Sequence, residues 1–195
     1  SSTVAFITSV FEAKLAELRR GRSMVLENGH TIILGFGDRI LEIIRELIEA
    51  NESEPDAAIV ILADDDKETM DNIIRDNIDE FLTTRIITRS GVVTNINNLK
   101  KVNADQAKSI IIMNNAASWK SSAELKLADA MVLKSIMSII AVCKGNTHPP
   151  ITCEIHSDRD RELAENISDG SVKALNEVSV LSRMIAQLAL SQNSN

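Results

Sequence analysis

From residue 30 onward the chain alternates short, almost wholly aliphatic runs with longer stretches whose apolar positions recur every three or four residues. The runs predict strands over residues 30–34, 57–63, 85–88, 109–113, 151–155 and 172–176. The periodic stretches predict helices over 38–50, 66–76, 95–102, 122–143, 159–167 and 180–192. In the first of these, Ile40, Leu41, Ile44, Leu47 and Ile48 fall on one face, as an amphipathic helix requires. Strands without in/out alternation are covered on both faces, which is the habit of parallel sheets. Strand and helix in strict alternation imply right-handed crossovers. The expected fold is therefore α/β: a Rossmann-like, doubly wound parallel sheet of six strands in the order 3-2-1-4-5-6.

Two segments do not fit a plain sheet-and-helix layer. Residues 4–20 predict a helix with Val4, Ile7, Phe11, Leu15 and Leu18 in one stripe, stopped at Gly21. Arg19, Arg20 and Arg22 cluster at its end. They either complement the negative helix C-terminus or form a basic collar just inside a membrane. This divides the chain into an N-terminal helical linker, 1–29, and a domain, 30–195. The helix over 122–143 is apolar on nearly every side, from Leu125 and Leu127 through Met131 and Ile136 to Ile140. A helix lying on a sheet needs one stripe only, so the surplus points either to a second copy of the domain or to a long helix overlapped by neighbouring helices of the same chain.

The first strand runs directly into Gly35-Phe36-Gly37 and then a helix, the layout of a dinucleotide-binding turn. In the full G-x-G-x-x-G pattern the second Gly admits pyrophosphate to the backbone and the third packs helix on strand. Here Ile40 stands in the third position. Asp38 follows the second Gly, where a carboxylate caps the helix or repels a phosphate competing for the same amides. Asp64, at the end of the second strand, stands where an acidic residue holds a ribose hydroxyl in NAD sites. In the run Asp64-Asp65-Asp66, Asp65 with Glu68 reads as an N-cap and its acidic partner. Three adjoining carboxylates also suggest a cation site. Ser90 follows the third strand and Asn114 the fourth, at the carboxyl ends where open α/β sheets bind ligands. Glu154 lies in the fifth strand, with His156 two residues on and so on the same face. They are either a cation-ligating pair or hydrogen-bonded side chains at a strand end. The cofactor-binding set is thus Gly35, Gly37, Asp38, Asp64, Ser90 and Asn114, and the metal candidates are Asp64 and Glu154.

Composition narrows the reading. A formal net charge of −7 argues against nucleic-acid binding. The core must be aliphatic, because aromatic residues make up 3% of the chain and Tyr is absent. Cys143 and Cys153 lack metal-type spacing and suit a reducing compartment. No nucleophile elbow, P-loop lysine or Cys/His pair in a recognisable context is present, so no catalytic set emerges. A small NAD(P)-dependent oxidoreductase or another nucleotide-binding protein is the alternative reading, and a bare structural module the third.

Several motifs carry a family likeness: Leu18-Arg19-Arg20-Gly21-Arg22-Ser23; Val25, Glu27 and His30 to Gly35; Leu62-Ala63 with Asp66-Lys67-Glu68; Arg89-Ser90-Gly91; Leu99-Lys100-Lys101-Val102; and Arg183 to Gln187. In these the chain resembles the RCK domains, regulators of potassium conductance, and within them the Castor/Pollux ion channels. The resemblance implies a cytoplasmic, ligand-sensing gating-ring domain of a potassium or calcium channel, on the inner face of the cell membrane. It implies assembly with other copies into dimers or rings, and a pore-forming transmembrane segment joined through residues 4–20. It implies calcium or an NAD-like nucleotide as ligand. Some calcium-regulated relatives use a carboxylate ending the fourth strand and two acidic residues in the fifth. Met113-Asn114 and Glu154 with His156 depart from that set.

Overall fold

A computed structural model describes residues 1–117, 120–144, 147–168 and 170–176. The elements run α1 (Ser2–Arg19), β1 (Thr31–Leu34), α2 (Ile40–Ala50), β2 (Ala57–Ala63), α3 (Lys67–Asn77), β3 (Thr84–Ser90), α4 (Ile96–Lys101), β4 (Ser109–Ile112), α5 (Ser122–Val142), β5 (Ile151–Glu154), α6 (Asp158–Asn166) and β6 (Val172–Leu175), with a short 3-10 turn at Ala104–Gln106. The strands form one sheet in the order β3-β2-β1-β4-β5-β6. Every pairing is parallel. The order reverses between β1 and β4, as expected from the alternation of strand and helix. The expected helix over 180–192, with its stripe Val180, Leu181, Met184, Ile185 and Leu188, lies outside the described residues.

The pleat sends alternate residues of each central strand into two separate cores. Ile32, Leu34, Val60, Leu62, Ile110 and Ile112 pack with Val132, Ile136 and Ile139 of α5. Ile33, Ile59, Ile61 and Ile111 pack on the opposite face with Ile43, Ile44 and Leu47 of α2 and Met70 and Ile74 of α3. Both faces being apolar explains why the strands read as continuous aliphatic runs. Cys143 and Cys153 are free and buried in the first of these cores.

Two helix starts differ from expectation. Asp38 does not cap α2: Arg39 is the N-cap, with no side-chain hydrogen bond, and the Ile40 amide donates to the Gly37 carbonyl at 3.1 Å. The glycine turn thus takes up two more residues before the helix begins. At α3 the N-cap is Asp66, not Asp65, which puts Glu68 one place too early for a capping box.

Helix α1 has no buried residue. Its apolar side chains stand in solvent, Phe6 at 68% and Phe11 at 63% exposure. It ends at Gly21, whose φ of +71° is a glycine-favouring conformation and whose amide donates to the Leu18 carbonyl at 3.1 Å. The segment behind it returns to the body: Val25 is buried, and its amide donates to the Lys101 carbonyl at 2.7 Å. Among the described residues no helix is long and apolar enough to cross a membrane.

Candidate functional site

Parallel strands present their carboxyl ends on one edge of the sheet. Where the order reverses, the loops leaving β1 and β4 turn opposite ways and open a crevice. Here that crevice has a volume of about 1080 Å³, at the upper end of small-ligand sites. One wall is the glycine turn with Asp38 and Arg39, and beside it Ala63 at the end of β2, Asp64 and Asp65 after it, and Val92 and Val93 after β3. The other wall is Met113 to Ala117 after β4, Glu154 at the end of β5 and His156 beyond it, and Leu125 and Met131 of α5.

The turn needs a glycine at Gly35 but not at Gly37. Gly35 has φ +106°, and a Cβ there would lie 3.3 Å from the Met113 Cβ. Its amide donates to the Leu62 carbonyl at 2.8 Å, which fixes the turn to β2. A Cβ on Gly37 would meet the Met113 Cε at 3.4 Å, an ordinary contact with the movable end of a side chain. Ile40, in the third glycine position, is buried and packs into the core with α2.

Asn114 lines the crevice, but its side chain is committed inward. Its Nδ2 donates to the Asp129 Oδ1 at 3.0 Å and to the Glu154 carbonyl at 3.2 Å, and its Oδ1 accepts from the Ala116 amide at 3.0 Å. Asp129 is the hub of this wall. Buried at 1% exposure, it also accepts from the amides of His156 at 2.9 Å and Ser157 at 3.0 Å. A single carboxylate thereby ties α5 to the ends of β4 and β5.

Glu154 is buried with its Oε2 unpartnered. Burial pushes its carboxyl up to about 7; the Arg39 charge pulls it down and the Asp129 charge adds to the rise. Asp65, on the opposite wall, is also raised, by desolvation first and then by the charge of Asp64. His156 lies just beyond the end of β5. Its Nε2 sits 2.7 Å from the Ala116 carbonyl, so it serves as a strand-end hydrogen bond.

The structure thus brings Gly35, Gly37, Asp38, Asp64, Asn114 and Glu154 to one crevice. Ser90 instead lines a small void of about 10 Å³ with Gly21, Arg22, Ser23, Arg89, Asn98 and Lys101. Its amide donates to the Gly21 carbonyl at 2.9 Å. Position at a strand's carboxyl end does not decide which side of the turn a residue serves. Among the described residues no group of three or more His, Cys, Asp or Glu side chains could hold a metal ion. Asp129, Arg39 and Met113 are site residues that sequence reasoning missed. Asp129 had a signal: it interrupts the stripe Leu125, Val132, Ile136, Ile139 at a core-facing position of α5.

Residues 26–153 match the model of the calcium-activated potassium channel slowpoke-like RCK domain. The chain is 30% identical over 187 residues to the probable ion channel CASTOR of Oryza sativa subsp. japonica, covering 95% of this chain and 20% of that protein. It is likewise 30% identical over 187 residues to the ion channel CASTOR of Lotus japonicus, covering 95% and 21%. The chain therefore spans about a fifth of the length of these relatives. Among solved structures it is similar to the GsuK channel bound to NAD, with a TM-score of 0.56 and 18% identity, over 94% of this chain and 28% of that one. At that identity the likeness concerns the fold.

Proposed function

This chain belongs to the family of slowpoke-like RCK domains, and from that premise we propose that it is the ligand-sensing, cytoplasmic gating domain of a cation channel. The observation that carries the proposal is the large crevice at the β1/β4 switch point, in a chain whose relatives are ion channels. Residues 1–29 serve as the connector to a pore-forming segment and residues 30–195 as the sensing domain. The charge distribution along α1 supports this: residues 1–11 carry no charged side chain and five large apolar ones, all more than half exposed, whereas arginines gather after residue 18. An apolar end and a basic end along one axis suit a helix that leaves a membrane toward the cytoplasm.

The ligand class the crevice suits best is an NAD-like nucleotide. Gly37 leaves its backbone open to close approach, and the first amides of α2 have no side-chain cap. Asp64 stands where it can accept from a ribose hydroxyl. Arg39 is the cation placed to meet a phosphate, against the carboxylates of Asp38, Asp64 and Asp65. A ligand binding one domain arrangement more tightly shifts the population toward it, and a preference of ~1–3 kcal/mol gives useful coupling. Assembly of copies has its own support: Leu127 and Met137 of α5 and Leu163 of α6 stand well exposed.

The test is direct. Titration of the chain with NAD, ATP and calcium, followed by thermal shift, is expected to give a clear rise with a nucleotide and no substrate turnover. Light scattering is expected to show dimers or larger species. Redox turnover with NAD(P)H would move the assignment to the oxidoreductase reading, and a strict monomer at high concentration would remove ring assembly.

A further inference from the structure

Three of the family-like motifs are far apart in sequence and lack a role in the crevice: the Arg-Arg-Gly-Arg-Ser run at 19–23, Arg89-Ser90-Gly91, and Leu99-Lys100-Lys101-Val102. The structure gathers them into one node. The Ser90 amide donates to the Gly21 carbonyl at 2.9 Å. The Arg89 Nε donates to the Ser23 carbonyl at 2.7 Å, while its Nη1 donates to the Thr88 carbonyl at 2.8 Å. The Val25 amide donates to the Lys101 carbonyl at 2.7 Å. Gly21 rests so closely on Lys67 that a Cβ there would lie 2.8 Å from the Lys67 Cβ. The residues just behind α1 are thus held at three points by β3, α3 and α4.

The same turn forms part of the crevice wall. The Gly91 amide donates to the Ala63 carbonyl at 2.9 Å, next to Asp64, and Val92 and Val93 line the crevice. The Asn98 Nδ2 donates to the Val92 carbonyl at 3.1 Å, bracing the turn against α4. One short stretch, 89–93, therefore has a ligand-facing end and a linker-facing end. Arg89 is the one side chain in it that bonds the linker, and it does so through a guanidinium forked between a linker carbonyl and a carbonyl of β3 itself.

We infer that Arg89 is the positioning residue that couples the crevice to helix α1: it clasps the Gly21–Val25 turn to the end of β3, so that a shift of 91–93 on ligand binding is passed to the linker. The coupling part rests on the sensing role proposed above; the clasp does not. No residue of helix α1 is buried, so its direction is set chiefly by this turn. The backbone bonds of Ser90 and Val25 hold the turn's position, and the Arg89 fork keeps it in register with β3.

Hydrogen–deuterium exchange of the 195-residue chain tests this, with NAD as the probe and Arg89→Met, which keeps the stem and removes the donors, against wild type. Without ligand, Arg89→Met is expected to speed exchange at residues 21–26 on the order of tenfold while amides of β1 and β2 stay unchanged. With NAD, wild type is expected to slow at both 90–93 and 21–25, and the variant at 90–93 only. Arg89→Lys, which keeps the charge but not the fork, is expected to resemble Arg89→Met, and serves alone if the Met variant does not fold. Equal NAD protection of 21–25 in variant and wild type overturns the coupling, as does protection of 90–93 in wild type that never reaches 21–25. An absence of any NAD effect sinks the sensing role with this nucleotide; the ligand-free comparison then still decides the clasp, and an unchanged rate at 21–26 in the variant overturns it.

Discussion

The two walls of the crevice are built on opposite principles. On the glycine side, Asp38, Asp64 and Asp65 are exposed, and neither α2 nor α3 has a side-chain cap. On the β4/β5 side, Asn114 and Asp129 are buried and linked to each other and to the Glu154 backbone carbonyl by hydrogen bonds, and α6 is capped by the Ser157 hydroxyl accepting from the Asp160 amide at 3.1 Å. One wall offers uncommitted polar groups to a ligand; the other spends its groups on holding strand ends. The sensing role proposed above would use both: a responsive face, and an abutment against which its movement counts.

The contrast breaks most visibly at Asp129. Asp129→Ala would leave the backbone amides of His156 and Ser157 and one N–H of the Asn114 side chain without their acceptor, at a cost of about 3–4 kcal/mol measured by urea denaturation. A loss under about 1 kcal/mol would show that this wall is not interlocked. On the other wall the expected stability cost lies in the backbone, not the side chains. Gly35→Ala, forced to φ +106° beside Met113, is expected to lose about 2 kcal/mol. Gly37→Ala is expected to change stability by less than about 0.5 kcal/mol while weakening nucleotide binding in calorimetry. Equal stability losses at the two glycines would remove the distinction between a structural and a ligand-facing position.

Glu154 stands between the two regimes. Its folded-state carboxyl titrates at about 7, above the ordinary 4.5, so the native state holds that proton more tightly than the unfolded chain. The penalty for ionising it is absent below about pH 4.5, grows as pH rises toward 7, and is complete above. Glu154→Gln removes it, so the variant is expected to gain about 1–2 kcal/mol over wild type at pH 8 and nothing at pH 4. A gain independent of pH would place the effect in packing. The smallest stability change belongs to Asp64→Asn, an exposed substitution expected to stay within about 0.5 kcal/mol. Its signature is weaker nucleotide binding; unchanged affinity would remove Asp64 from the site.

How much of this was legible in the sequence follows the same division. The strand order and both cores were, because Ile32, Ile33 and Leu34 must each find an apolar partner on one face or the other. The glycine turn and the place of Asp64 were legible, since strand–turn–helix fixes which residues reach the sheet's carboxyl edge. Which Asp caps α3 was not: in a run of three, one residue of shift decides it. Ser90 was misplaced because a turn has two sides, and contact with residue 21 is invisible to local pattern. Asp129 looked like an interruption in an apolar helix, although a lone carboxylate on a core-facing stripe signals a bond that only the fold can name.

The two cysteines give the sheet a clock of its own. Burial, aided by the Glu165 charge, pushes the Cys153 thiol up to about 12, and burial with Asp105 raises Cys143. Both therefore stay protonated and inert at neutral pH. A thiol reagent reaches Cys153, on β5 and buried in the core with residues of α5 and α6, only when that core opens. The labelling rate then reports how often that half of the molecule breathes, and a bound ligand that slows it would be stiffening the sheet at a distance from its own contacts.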